Sequence, residues 1–229
     1  MNKLPAQKIN GLIDGIAVLQ ELAMSREPAS GKILAETLGL PMVRVNRILK
    51  TLAYLGLTHR NTSRKYSVGP GMHVLAAQSM AASGLLRRAL PYLKQLGKSG
   101  LTVALGVLWK DQVCYLFHNS GSNEFADGLG RMMLYPAVES SIGMALLAEI
   151  PVESIEQQTG VKPDRELIKK LKQIKKQGYA SVRNQQHTSL AVPIGEPAYA
   201  AIAVSGVKTA EEEQQFTALL RKYAADIYK

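Results

Sequence analysis

Three residues, Gly39-Leu40-Pro41, separate two short amphipathic stretches, and they leave the backbone little choice at that point. Glycine tolerates the left-handed conformation that ends a helix, and proline is pre-organised for the first turn of the next one. The pattern predicts a helix over residues 31–38, capped by Ser30, with Ile33, Leu34 and Leu38 inward. A helix over 41–55 follows, burying Val45, Ile48, Leu49, Leu52 and Leu55. Upstream, Ile9, Leu12, Ile13, Ile16, Leu19 and Leu22 recur at three- and four-residue spacing, the mark of one packed helix face. Downstream, Leu57-Thr58-His59-Arg60 and Lys65-Tyr66-Ser67-Val68 read as two strands joined by the polar turn 61–64. Helix, tight turn, helix and hairpin in this order predict a winged helix-turn-helix.

Charge says what such a unit would hold. Between Glu36 and Asp111 there is no acidic residue, while eleven lysines and arginines fall in the same stretch. Net charge is +10 over 229 residues, and residues 1–80 alone carry +6. That imbalance attracts polyanions, nucleic acid first among them. On the second helix Arg44, Asn46, Arg47 and Lys50 lie off the apolar side. The arginine forks suit guanine edges or phosphates, Asn46 can pair bidentately with adenine, and Lys50 is placed for the backbone. Arg60, Arg64 and Lys65 on the hairpin are expected to supply phosphate contacts of no sequence preference.

Past this region the pattern changes twice. Residues 71–82, rich in Met and Ala and free of charge, predict a connecting helix, and 85–96 another with Leu86, Ala89, Leu90, Leu93 and Leu96 on one side. Apolar alternation over 102–109 and 113–117 predicts a β-hairpin, followed by helices from about Ser140 and over 151–159 and 163–177. Strands at 178–182, 190–194 and 199–204 and a terminal helix at 210–228 complete an α+β domain. The five lysines between Lys169 and Lys176 read as a solvated helix face.

Several function classes lack support. His59, His73, His118 and His187 are scattered without the spacing of a metal site. Gly128-Leu129-Gly130 lacks the rest of a dinucleotide motif, and no phosphate-binding loop is present. Asp127 and Glu124, near Arg131, are expected to be loop charges, and Cys114 sits in an apolar strand pattern. No enzyme, metal or cofactor is expected. The lone cysteine, the absence of a signal-like N-terminus and the lack of a long apolar run point to a cytoplasmic protein with no membrane partner.

Leu34-Ala35-Glu36…Leu38-Gly39-Leu40-Pro41, Arg47-Ile48-Leu49…Leu52, Leu55-Gly56-Leu57 and Tyr66-Ser67-Val68-Gly69-Pro70 resemble the N-terminal domain of the IclR family of bacterial transcriptional regulators. In the second half Pro136…Ser140-Ser141-Ile142-Gly143-Met144-Ala145, Gly178-Tyr179-Ala180 and Ala201-Ile202-Ala203-Val204-Ser205-Gly206 are similar to that family as well. Met42-Val43-Arg44 departs from its usual Lys-Ser-Thr. The resemblance implies a winged helix-turn-helix at 1–70, a linker helix at 71–84 and a GAF-like effector-binding and oligomerisation domain at 85–229. It also implies an effector pocket including Ser140, Ser141, Ile142, Leu190, Val192, Ala203 and Ser205. The ligand that the resemblance implies is a small metabolite, often a carboxylate, and amides and hydroxyls at the start of a helix suit such an anionic group. The function implied is a ligand-responsive, sequence-specific regulator, a repressor before an activator, acting as a homodimer or tetramer on double-stranded operator DNA. The alternative is a constitutive DNA-binding regulator whose C-terminal domain serves only oligomerisation.

Overall fold

The computed structural model describes residues 7–121, 124–129, 134–184 and 187–229. Gly130 of the Gly128-Leu129-Gly130 segment and Arg131, named above beside the loop charges, lie outside them. The chain divides into two compact units, 1–83 and 84–229.

In the first unit, helices α1 (Asn10–Met24), α2 (Gly31–Leu38) and α3 (Met42–Tyr54) precede a two-stranded antiparallel hairpin, β1 (Thr58–Arg60) and β2 (Tyr66–Val68). Both ends of α2 have a local cause. The Ser30 hydroxyl accepts from the Ile33 amide at 3.3 Å to open α2, and Gly39 closes it at φ 63°, a conformation costly for any residue with a Cβ. At the hairpin tip the Asn61 carboxamide oxygen accepts from the Lys65 amide at 2.9 Å. The hairpin is tied back to the chain ahead of α2, because Ala29 and Tyr66 exchange two backbone hydrogen bonds of 2.8 Å. The core beneath joins Val18, Leu22, Leu34, Ala35, Val45, Leu49, Leu52 and Tyr66. Helix α4 (Pro70–Ser83) ends the unit and buries no residue within it.

Helix α1 departs from its expected packing. Its C-terminal half is buried through Val18 and Leu22, whereas Ile9, Leu12, Ile13 and Ile16 stay exposed, Ile9 at 71%. Leu55 and Ile33 are exposed too. Periodicity finds an apolar stripe but not which part of it meets a partner within the same unit.

The second unit is a six-stranded antiparallel sheet with helices on both faces. It comprises α5 (Leu85–Gly97), β3 (Thr102–Trp109), β4 (Gln112–Ser120), β5 (Leu134–Pro136), α6 (Ser141–Leu147), α7 (Val152–Thr159), α8 (Arg165–Gln177), β6 (Ala180–Arg183), β7 (Thr188–Gly195), β8 (Ala198–Val207) and α9 (Ala210–Tyr228). Strand order is β5-β4-β3-β8-β7-β6. The two faces differ in side-chain size. Val103, Leu105, Leu190, Val192, Ile194, Ile202 and Val204 fill the layer shared with α5 and α9. Ala104, Ala191, Ala201 and Ala203 face α6 and α8 on the other side. Small residues on that face let α6 lie close to the sheet, and all seven of its residues are buried. Gly143 allows the closest approach, since a Cβ there would stand 2.1 Å from the Ala137 carbonyl oxygen. Helix α9 opens with a capping box between Thr209 and Glu212.

Candidate functional site

The first unit presents Arg47 and Lys50 on one side of α3 and three further cations on the hairpin, while Lys8, Arg26 and Lys32 are exposed elsewhere on it. Val43, Arg47, Lys50 and Tyr54 recur at i, i+4, i+7 and i+11 and are all exposed, Tyr54 at 90%. This stripe lies opposite the buried Val45, Leu49 and Leu52. Arg60, Arg64 and Lys65 are exposed on the hairpin. The Arg60 guanidinium lies 5.5 Å from the centre of the Tyr66 ring, and Arg64 occupies the tip at φ 61°.

Two residues expected beside Arg47 and Lys50 are placed differently. Asn46 turns toward α2, so closely that a Cβ on Gly31 would stand 2.6 Å from its Oδ1. Arg44 is half-covered and ion-paired with Asp14 of α1. Sequence reasoning gives Val43 no contact of its own and does not single out Tyr54 or Asp14. The helical period of α3 contains the first two; nothing local to α3 contains Asp14, which reaches it only through the packing of α1.

The second unit holds a cavity of about 470 Å³ between the start of α6 and the sheet. Its floor follows from strand register. Thr102, Ser205 and Ser189 are neighbours across β3, β8 and β7, and the next row is Ala104, Ala203 and Ala191. A hydroxyl row thus lies beside an alanine row that leaves open space above it. The Ser189 and Ser205 hydroxyl oxygens are 2.6 Å apart. On the opposite wall, Ser140 Oγ accepts from the Gly143 amide at 3.3 Å and shares a 3.0 Å hydrogen bond with the Tyr115 hydroxyl. His118 meets Tyr115 edge-on, ring centres 5.2 Å apart. At the rim, the Asn184 side chain accepts from the His187 amide at 2.8 Å.

Burial pushes the Tyr115 phenol above its ordinary pKa, the Ser140 hydrogen bond works in the opposite direction, and Tyr135 nearby adds to the rise. The phenol therefore stays protonated and can donate at neutral pH. Among the described residues lining the cavity there is no lysine or arginine. Ligand recognition would rest on hydroxyls, two imidazoles and an amide, with Glu139 as the one carboxylate among those residues.

Of the seven pocket residues expected from sequence, Ser140, Ser141, Ile142, Ala203 and Ser205 line this cavity. Leu190 and Val192 do not: both are buried in the layer under α5 and α9. Successive strand residues point to opposite faces, so their neighbours Ser189 and Ala191 take the cavity side. The anion-binding role expected for the start of α6 is also weakened. The helix spans seven residues, and Ser140 is engaged as its cap.

Among the described residues no group of histidine, cysteine and carboxylate side chains is arranged to hold a metal ion. Cys114 is half-buried, and burial pushes its thiol pKa up, against thiolate chemistry. No described helix is long and apolar enough to cross a membrane.

Residues 77–229 match the family model for the C-terminal domain of bacterial IclR transcriptional regulators. No curated protein sequence matches the chain significantly. Among solved structures, an IclR family regulator from Brucella abortus is 21% identical, with 99% of this chain and 94% of that one covered at a TM-score of 0.76. An IclR-type regulator from a Silicibacter species is 19% identical over 95% of this chain and 94% of its own, at 0.79. An IclR homologue from Microbacterium hydrocarbonoxydans, solved with 4-hydroxybenzoate, is 22% identical over 95% and 97%, at 0.67. At such identities the solved structures speak for a shared fold, and the domain match together with that fold places this chain in the IclR family of bacterial transcriptional regulators.

Proposed function

We propose that this regulator binds double-stranded operator DNA through its first unit as a winged helix-turn-helix and is controlled by a small metabolite held in the cavity of its second. The observation that carries the reading is the exposed stripe of α3. A 13-residue helix, set by a glycine-ended turn against α2, offers Val43, Arg47, Lys50 and Tyr54 along one side, and a basic hairpin lies next to it in sequence. Such a stripe matches the edge of a major groove, where Arg47 can take a guanine and Val43 a thymine methyl, while Lys50, Arg60, Arg64 and Lys65 neutralise phosphates. Asn46 is assigned to the packing of α2 on α3.

The effector is a small polar compound; a carboxylate-bearing metabolite would be held there by neutral hydroxyl, imidazole and amide donors, since no lysine or arginine is among the described residues lining the cavity and Glu139 is their one carboxylate. Thr102, Tyr115, Ser141, Ser189 and Ser205 can supply hydroxyl hydrogen bonds, and the alanine row gives an apolar floor. The relative solved with 4-hydroxybenzoate supports a ligand of this size and chemistry. Effector binding would favour one arrangement of the two units over another, releasing the operator in the manner of a repressor.

The working species is a homodimer or a tetramer. Ile9 just ahead of α1 and Leu12, Ile13 and Ile16 on it are exposed apolar residues, and α4 buries nothing within its unit, so a second copy would cover surface that one chain leaves open. Selection of bound duplexes from random DNA, followed by titration of the selected operator with a panel of small carboxylates, tests the proposal. A selected consensus whose binding weakens or tightens with one compound is the expected result. A consensus with no response to any compound would leave the constitutive alternative, and no consensus would end the DNA-reading assignment.

A further inference from the structure

Arg44 is the third residue of α3, and its Nε meets Oδ2 of Asp14 on α1. The two partners are unequally covered: the Asp14 side chain is 15% exposed, the Arg44 side chain 40%. Asp14 Oδ2 itself is shielded from solvent and takes no aligned hydrogen bond, so the guanidinium charge is what compensates it. A covered carboxylate therefore stands behind a half-exposed arginine in the first turn of the helix proposed to read bases.

The chemistry of arginine gives this arrangement a use. A guanidinium carries five N–H donors in a rigid fork, and a contact at Nε leaves the four donors of the terminal nitrogens for another partner. Those nitrogens are the ones that take guanine O6 and N7 as a pair. A free arginine must give up much rotamer freedom to do so, whereas one already fixed at Nε has given up part of it on folding. The pair has no net charge, so it adds little to the general attraction for phosphate that Arg47, Lys50 and the hairpin supply. What it adds is direction.

We infer that Asp14 is a specificity-determining positioning residue, which acts through Arg44 by holding its guanidinium for a bidentate contact with a base edge. The inference rests on the DNA-reading assignment of α3. Asp14 touches no base itself; without its carboxylate, Arg44 is present but unaimed.

The test uses the full chain, its selected operator and a scrambled duplex of equal length. Affinities are measured for the parent, D14N, D14E, R44A, the double variant D14N/R44A and R47A, with thermal melting of each. D14N is expected to reduce the preference for operator over scrambled DNA by about five- to 150-fold, the worth of one bidentate contact, with binding to scrambled DNA unchanged or tighter. R44A should lose the same preference, and D14N/R44A no more than R44A alone. D14E, which keeps the charge but changes the reach, should fall between parent and D14N. The proposal is overturned if D14N tightens operator and scrambled DNA equally, which would make Asp14 a mask. It is also overturned if R44A melts lower yet keeps the parent's ranking of sites, which would make the pair a structural staple. If R47A abolishes preference while D14N does not alter it, the DNA-reading assignment stands and Asp14 falls out of it. A parent that distinguishes no duplex ends both.

Discussion

Ser189 on β7 and Ser205 on β8 stand opposite one another in the sheet, their hydroxyl oxygens 2.6 Å apart on the floor of the cavity. Thr102 on β3 continues their row beyond Ser205. The hydroxyls are held by strand pairing rather than by loops, so the floor is rigid before any ligand arrives. Ser205→Ala is expected to cost about 0.5–1.5 kcal/mol of stability, the net worth of one hydrogen bond. It should also remove most of the ligand-induced rise in melting temperature. A variant that melts lower but keeps the full rise would exclude Ser205 from the ligand site.

On the opposite wall, structural and binding roles meet in one residue. Ser140 caps α6 and bonds Tyr115, so Ser140→Ala should lower stability by about 0.5–2 kcal/mol with no ligand present. Ser141 lines the cavity and caps nothing in the structure, so Ser141→Ala should leave apo stability nearly unchanged and weaken ligand binding. Calorimetric melting of each variant with and without ligand separates the two. Equal losses of apo stability would contradict the assignment.

Leu190 and Val192 provide a contrast one residue away. Leu190→Ala should destabilise the second unit by about 2–5 kcal/mol, as expected for emptying a fully buried leucine site, without altering which compounds bind. A substitution at Ala203 on the other face, Ala203→Leu, should instead fill the cavity and abolish the ligand response. A changed ligand preference in a stable Leu190→Ala variant would overturn the two-face description.

For the hairpin, replacing Arg60, Arg64 and Lys65 together with alanine should weaken binding to operator and scrambled DNA alike. The slope of log K against log salt should flatten by up to about 0.9 for each phosphate that the variant no longer neutralises. An unchanged slope would take the hairpin out of the interface.

Titration of Tyr115 gives a pH signature. Its phenol is held above the ordinary tyrosine pKa in the folded protein, mainly by burial, so the unfolded chain releases this proton first. The contribution is fully present below the unfolded pKa and is lost as pH rises from there through the folded pKa. Stability measured by denaturant titration should therefore decline more steeply above about pH 10, the ordinary tyrosine value, in the parent than in Tyr115→Phe. Parallel curves would assign the decline to other groups.

The sequence by itself determined the elements. Gly39 and Pro41 fix a turn whatever surrounds it, Ser30 and the Thr209–Glu212 box fix helix starts, and the alternation in 102–109 fixes a strand, because each is a local preference of backbone or side chain. It also marked five residues that line the cavity, since Ser140, Ser141, Ile142, Ala203 and Ser205 sit in motifs with a recognisable form. Which face each element turns toward which partner was decided only in three dimensions. Leu190 and Ser189 are both plausible strand residues, and only the register of β7 on β8 sends the first under α9 and the second into the cavity. Likewise the basic side of α3 was legible, but 30 residues separate Asp14 from Arg44 in the chain, and their ion pair exists because α1 packs across α3. Periodicity is a property of one segment, whereas the environment of a side chain belongs to the segments that meet around it.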